Sequence, residues 1–278
     1  MDECIEVGIV SMRWRLGIVC FFFFLMIRRP QRSTQSRSSA ASDVYKRQQY
    51  GIDPQRLNDY AEEIKVAVDK GAEIAIVMGG GNIFRGLSGM SKGVNRLEGD
   101  YMGMLATVIN SMALHGALEN MGVKAKLLGA LSINPIVERV SGKRIVNYLA
   151  DGYVVLISGG TGNPYFTTDT AAALRAIEMQ AEVILKGTRV DGIYNTDPEK
   201  DPKAIKYNTL SFEEAIEKKL KIMDLTAFTL CQENNMPIHV FNMNVKGNLA
   251  KIMEDGSIGT RVSTVSYTHL TLPTIYSV

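Results

Sequence analysis

Apolar positions in the body of the chain fall into two rhythms. Leu57, Tyr60, Ile64 and Val68 recur at steps of three and four, which predicts an amphipathic helix. Asp53 supplies its N-cap, Pro54 its first turn and Gly71 its end. Short unbroken apolar runs predict buried strands at residues 73–78 (EIAIVM), 123–128, 153–158 (YVVLIS), 182–186 (EVILK) and 238–243 (IHVFNM). Further helices are expected over residues 100–120, with Met102, Leu105, Ile109, Met112 and Leu118 as the apolar side, and over 168–178, capped by Thr168 or Asp169. Another starts at the capping box Ser211-Phe212-Glu213-Glu214, and a short one covers 248–253. A last strand is expected at 259–263, and no internal repeat is visible.

Strands alternating with helices imply an α/β domain whose mainly parallel sheet is covered on both faces. In such sheets ligands sit beyond the carboxyl ends of the strands. Three strand ends here lead into loops rich in Gly, Thr, Asn or Asp. The first, Gly79-Gly80-Gly81-Asn82-Ile83-Phe84-Arg85-Gly86, lets main-chain N–H groups turn toward an anion, and Arg85 adds a forked cation suited to phosphate. A flexible turn with a surface arginine is the plainer reading. The loop matches neither the P-loop nor the GxGxxG pattern.

The second loop, residues 159–169 (GGTGNPYFTTD), joins a strand to a helix start, where orphan N–H groups and the helix dipole favour phosphate. Thr167 and Thr168 carry hydroxyl donors. Asp169 either caps the helix or organises cations around a transferring phosphoryl group. In the third loop, residues 186–198 (KGTRVDGIYNTDP), Tyr194 would cover a purine ring and Asp197 would accept from a ribose or purine amine; spacing alone favours a hairpin followed by an Asp-Pro turn. Asp100, ahead of the long helix, is a plain N-terminal carboxylate or an acceptor for sugar hydroxyls.

Composition narrows the field. The chain has 278 residues, 46% hydrophobic and 22% charged, with a formal net charge of +2. Residues 1–48 hold eight Lys/Arg against four Asp/Glu, and 265–278 hold neither. Of the 31 basic and 29 acidic side chains, the body therefore keeps two more acids than bases, which argues against nucleic acid as a partner. Cys4, Cys20 and Cys231 form no CxxC pair and the three histidines lie apart, so no His/Cys metal site is expected. Cys231 reads as a buried small residue in a reducing compartment.

The two ends read differently from the body. Residues 16–27 (LGIVCFFFFLMI) are too short to span a bilayer, which needs ~20 residues, although they mimic a secretory signal. Residues 21–48 and 265–278 resemble translated sequencing-adapter DNA. The expected organisation is a non-native, disordered segment over 1–48, one domain over 49–264 and a non-native tail over 265–278.

Several long motifs in order resemble the bacterial UMP kinases of the amino acid kinase superfamily: GGGNIFRG at 79–86, GDYMGMLATVIN at 99–110, GTGNPYFTTDTAAALRA at 160–176, LKGTRVDGIYNTDP at 185–198 and MDLTAFTLCQENNMPIHVFN at 223–242. The resemblance implies a three-layer α/β/α sandwich, ATP-to-UMP phosphoryl transfer in pyrimidine nucleotide biosynthesis, a cytoplasmic homohexamer, and GTP and UTP as effectors, with no membrane or nucleic-acid partner. It implies Arg85 and Asp169 as catalytic residues. UMP contacts would be Gly80, Asp100 and Thr161, Gly162, Asn163, Pro164, Tyr165, Phe166, Thr167 and Thr168. ATP contacts would be Gly81, Arg85, Thr188, Tyr194 and Asp197, with Mg²⁺ held mainly through nucleotide phosphates.

One departure stands out. The family opens with a strand ending in a Lys-x-Ser-Gly-Glu type motif that grips ATP phosphates, and this sequence has none, so the first strand is expected to be missing. That would leave a bare sheet edge or an unfilled core slot, and a chain that folds poorly or is nearly inactive. Lys186 is a candidate for a replacement cation that reaches phosphate from another side. Rival readings are a kinase for a small carboxylate or carbamate, a non-catalytic nucleotide-binding oligomer of the same fold, and an exported protein.

Overall fold

The computed structural model describes residues 19–21, 51–84, 93–198 and 200–264. Its main sheet has nine strands: β1 (Val19–Phe21), β2 (Ala75–Val77), β3 (Ala125–Gly129), β4 (Glu138–Arg139), β5 (Val154–Ser158), β6 (Ile184–Thr188), β9 (Thr209–Ser211), β10 (Ile238–Asn242) and β11 (Thr260–Ser263). Their order is β4-β3-β5-β2-β1-β6-β10-β11-β9, and every pair is parallel except β10 with β11. A separate antiparallel pair joins β7 (Ile193–Tyr194) to β8 (Lys206–Tyr207).

The central strands β2, β5, β6 and β10 are mostly apolar because both faces are covered, whereas the edge strand β4 is exposed. Alternate residues divide between two cores. Ala75, Val77, Val155 and Ile157 pack toward helices α3 (Gly142–Ala150), α4 (Thr168–Glu178), α5 (Phe212–Glu217) and α6 (Leu225–Glu233). Ile76, Met78, Val154 and Leu156 pack toward α1 (Pro54–Asp69), α2 (Arg96–Asn120) and α7 (Asn248–Asp255). The result is the three-layer α/β/α sandwich expected from the sequence.

Local signals place the helix starts. Asp53 Oδ1 accepts from the amides of Gln55 (3.0 Å) and Arg56 (3.2 Å), and Ser211 forms the expected capping box with Glu214. Thr167, one residue earlier than expected, is the N-cap of α4. Helices α3 and α6 escaped the sequence reading, although Ser141 and Asp224 cap them.

Two expectations need correction. The apolar side assigned to α2 is mostly its outer side: Met102, Leu105, Ile109 and Met112 are exposed, and of that set only Leu118 is buried. The buried stripe is Met104, Thr107, Val108, Ser111 and Leu114. Helical periodicity fixes which residues share a face but not which of two apolar faces meets the sheet. Nor is the central slot open. β1 lies between β2 and β6, with Val19 opposite Ile76 and Cys20 opposite Lys186, so main-chain pairing continues across the middle of the sheet. The sequence of β1, Val-Cys-Phe, contains no lysine. The other residues of 1–48, the tail 265–278 and Arg85 lie outside the described residues. Among the described residues no helix is long and apolar enough to cross a membrane.

Candidate active site

Because β2, β5 and β6 run parallel, the loops that follow them leave from the same end of the sheet. The glycine loop after β2 is held from below by a pair of amides. Asn110 Nδ2 donates to Gly79 O and to Asn82 Oδ1, both at 2.7 Å; Asn82 Nδ2 donates to Asn110 Oδ1 (3.1 Å) and Gly51 O (3.0 Å). Gly80 has no room for a side chain. A Cβ there would meet Ala106 Cβ and Gly103 O at 2.7 Å, so the loop lies directly on α2. The Ile83 and Phe84 amides close the turn on Gly80 O.

The loop after β5 arches back over the same helix. Gly159, Gly160 and Gly162 take positive φ, and the Gly159 amide donates to Thr107 Oγ1 on α2 at 2.8 Å. Tyr165 is also left-handed, at φ 71°, a costly conformation for a residue with a Cβ. Its amide donates to Asp100 Oδ2 at 2.8 Å, and its exposed ring lies under Arg96, 5.4 Å from the guanidinium carbon. Arg96 Nε in turn contacts both Asp100 oxygens at 2.9–3.0 Å. Asp100 is thus joined to the loop that the sequence pairs it with. Thr161 and Asn163 fold onto each other through the Thr161 hydroxyl at 3.1 Å, Phe166 is exposed, and Gly162 packs on Ala130.

At the start of α4, Asp169 points into the protein. Its oxygens accept from Lys186 Nζ at 3.0 and 3.1 Å, and Oδ2 also accepts from the Asp224 amide at 3.3 Å. Lys186, on β6, donates further to Ile222 O at 2.7 Å. Both side chains are about nine-tenths buried. Burial pushes the Asp169 carboxyl above its ordinary value, against the pull of Lys186. Desolvation and the nearby Asp169 and Asp224 push the Cys231 thiol up to about 12, which leaves it a packed, inert group as its sequence context suggested. The pair Asp169–Lys186 ties the second loop to the third strand end. Gly79 closes the remaining side: a Cβ on it would sit 3.9 Å from Thr168 Oγ1.

The third loop sits farther along the sheet. Thr188, at the end of β6, donates to Val190 O at 2.6 Å. Tyr194, in the β7–β8 pair, donates to Asp191 Oδ1 at 2.5 Å, and Lys206 Nζ reaches Asp191 Oδ2 at 3.1 Å. That hydrogen bond drives the Tyr194 phenol up to about 12 and lowers Asp191. Asp197 is exposed and faces Lys200 at 3.5 Å. An antiparallel pair is present, but Asp191-Gly192 is not its turn as spacing suggested: the pair closes through residues 195–205, with the Asp-Pro dipeptide inside that loop rather than after the hairpin. Sequence reasoning missed Asp224, Thr107, Arg96 and the Asn82–Asn110 pair; Asp224 alone left a signal, as a carboxylate just ahead of an apolar helix.

Glycine-rich loops leaving one end of a parallel sheet, one helix N-terminus beside them and a buried Lys–Asp pair joining two of the strand ends define the class: an α/β protein suited to anionic ligands. A profile of the amino acid kinase family matches residues 48–242. The uridylate kinase of Parabacteroides distasonis is 58% identical over 214 residues, 77% of this chain and 91% of that protein. That of Porphyromonas gingivalis is 56% identical over 219 residues, 79% and 92% of the two chains. The crystal structure of UMP kinase from Ureaplasma parvum superposes with a TM-score of 0.77 at 34% identity, covering 90% of this chain and 100% of that one. The chain belongs to the amino acid kinase family, and these similarities lie with its uridylate kinases.

Proposed function

We propose that the protein transfers the γ-phosphoryl group of ATP to UMP, giving UDP and ADP, in pyrimidine nucleotide biosynthesis. The observation that carries this reading is that residues 79–84 and 159–169 leave the same end of the sheet and pack on α2, with Asp169 tied to Lys186, beside the similarity to uridylate kinases. Gly80, Asp100 and residues 161–168 would hold UMP. Gly81, Thr188, Tyr194 and Asp197 would hold the ATP side, and Arg85 the phosphates between them.

The UMP phosphate oxygen is already an anion, so no general base is needed; the protein has to position two nucleotides and offset their charge. The N-terminus of α4 and the Gly79–Gly81 amides supply fixed positive ends for that purpose. Among the described residues no cluster of three or more His, Cys, Asp or Glu side chains could cage a metal, and Asp169 already accepts from Lys186 and the Asp224 amide. This donor set suits Mg²⁺ carried on the phosphate oxygens, where it would neutralise charge on the group in transfer. Asp169 would act by holding its surroundings in place.

The homohexamer and its effectors belong to the same reading. Leu97, Tyr101, Leu105, Ile109 and Met112 form an outward stripe on α2, each 40–47% exposed, which supports a second copy of the chain packing there.

Turnover by this chain is expected to be slow, since β1 brings Val-Cys-Phe where the family has its phosphate-gripping lysine. Losing one such group costs ~3 kcal/mol, or ~10²-fold in rate. A coupled ADP-release assay run beside the Parabacteroides distasonis enzyme tests both points. UMP should stimulate ADP release more than CMP, glutamate derivatives or carbamate, at a rate well below the reference. Preference for a carboxylate or carbamate would refute the acceptor. Reference-like turnover would refute the importance of the lysine, and ATP binding without ADP release from any acceptor would favour the non-catalytic oligomer.

A further inference from the structure

Thr167 and Thr168 are neighbours with identical chemistry and opposite surroundings. The Thr167 hydroxyl accepts from the Thr170 amide at 3.2 Å and donates to Asp224 Oδ2. A hydroxyl has a single proton, so that of Thr167 is already committed. The Thr168 hydroxyl makes no hydrogen bond among the described residues and lies beside Gly79, where an added Cβ would sit 3.9 Å from it. Asp224 is where this asymmetry is decided. Its carboxylate takes the hydroxyls of Thr167 and Thr170, the latter at 3.2 Å, and the Ala227 amide at 3.0 Å, while its own amide donates to Asp169. Two residues earlier, Ile222 O accepts from Lys186. Residues 222–224 therefore strap the back of the acceptor loop to the buried Asp169–Lys186 pair.

We infer that Asp224 is a positioning residue for the acceptor nucleotide: it pulls the Thr167 hydroxyl backward, fixes the first turn of α4, and so presents Thr168, rather than Thr167, as the hydroxyl free to donate to a phosphate. This rests on the proposed UMP site and deepens it. Thr167 then lines the pocket through its main chain and methyl group. A helix cap alone would not require two threonine hydroxyls from another element, nor a link to Asp169.

The test uses the full chain and Asp224→Asn, which keeps a good N-cap because Asn and Asp cap helices equally well. UMP affinity, measured by calorimetry, should fall about tenfold, the effect of one charge-assisted hydrogen bond lost. Affinity for a non-hydrolysable ATP analogue should stay within twofold. Thr167→Ala should weaken UMP similarly, and the double variant should bind no worse than the weaker single variant. Multiplied losses in the double variant, or an Asp224→Asn affinity within twofold of the parent, would overturn the inference. Amide hydrogen exchange without nucleotide gives a readout independent of UMP. Residues 163–170 should exchange about tenfold faster in Asp224→Asn, with β5 unchanged. If the parent bound no UMP, faster exchange there would uphold the anchor and count against the acceptor alone, whereas unchanged exchange would sink the anchor itself.

Discussion

Replacing Lys186 by Met removes a buried cation and leaves its partner in place. Asp169, about nine-tenths buried, would keep only the Asp224 amide, and Ile222 O would lose the Lys186 N–H. Breaking one side of a buried pair costs about 3–5 kcal/mol. At about 2–4 °C per kcal/mol for a domain of this size, the melting temperature should fall by about 10 °C. The penalty should depend on pH. Burial already holds the Asp169 carboxyl above its ordinary value, and Lys186 opposes that shift, so the substitution raises it further. A carboxyl raised in the folded state holds its proton more tightly there than when unfolded. Its stabilising protonation is complete below the unfolded value and is lost as pH rises through the folded one. The Lys186→Met penalty should therefore be largest near pH 8 and shrink as pH falls toward the ordinary carboxyl value of 3.8. Urea unfolding of parent and variant at several pH values measures the difference, and Lys186→Met with Asp169→Leu should recover most of the loss. A penalty below about 1 kcal/mol, or one constant with pH, would refute the buried pair as described.

Other consequences are as direct. Gly80→Ala should cost about 1–3 kcal/mol in urea unfolding and weaken UMP binding, because the new methyl meets Ala106 and Gly103 O; a neutral result would contradict the close packing. Asp191→Asn should bring the Tyr194 phenol from about 12 back toward 10.0, so an alkaline ultraviolet titration should gain one tyrosinate between those values. Leu105→Glu combined with Ile109→Glu should reduce the sedimenting mass while leaving the circular dichroism spectrum intact; an unchanged mass would move the subunit contact away from α2.

The central strands were legible because they are buried on both faces, so runs such as VVLIS need no partner to be read as strands, whereas the exposed edge strand β4 (Glu138–Arg139) left no such run. Capping chemistry made α1, α4 and α5 equally plain. The orientation of α2 was not legible, since Leu105 and Ile109 are as apolar as Leu114 and Leu118; only the sheet decides which stripe is covered. The occupant of the central slot was also hidden, because any short apolar run satisfies it and β1 comes from a distant part of the chain. Within the site, the glycine loops announce themselves through backbone requirements that other residues cannot meet. Asp224, Arg96 and Asn110 act through contacts made across 50 to 70 residues or from a helix face, and apart from the helix-capping place of Asp224 sequence spacing carries no record of them.

The account turns on two nucleotides lying end to end in a single crevice. A bisubstrate analogue, adenosine and uridine joined through their 5′ positions by a polyphosphate bridge, tests that without requiring turnover. Titrated into the full chain, it should bind more tightly than either nucleotide, and both UMP and ATP should displace it competitively. Displacement by only one of them, or binding no tighter than the better single nucleotide, would mean that the two sites do not meet.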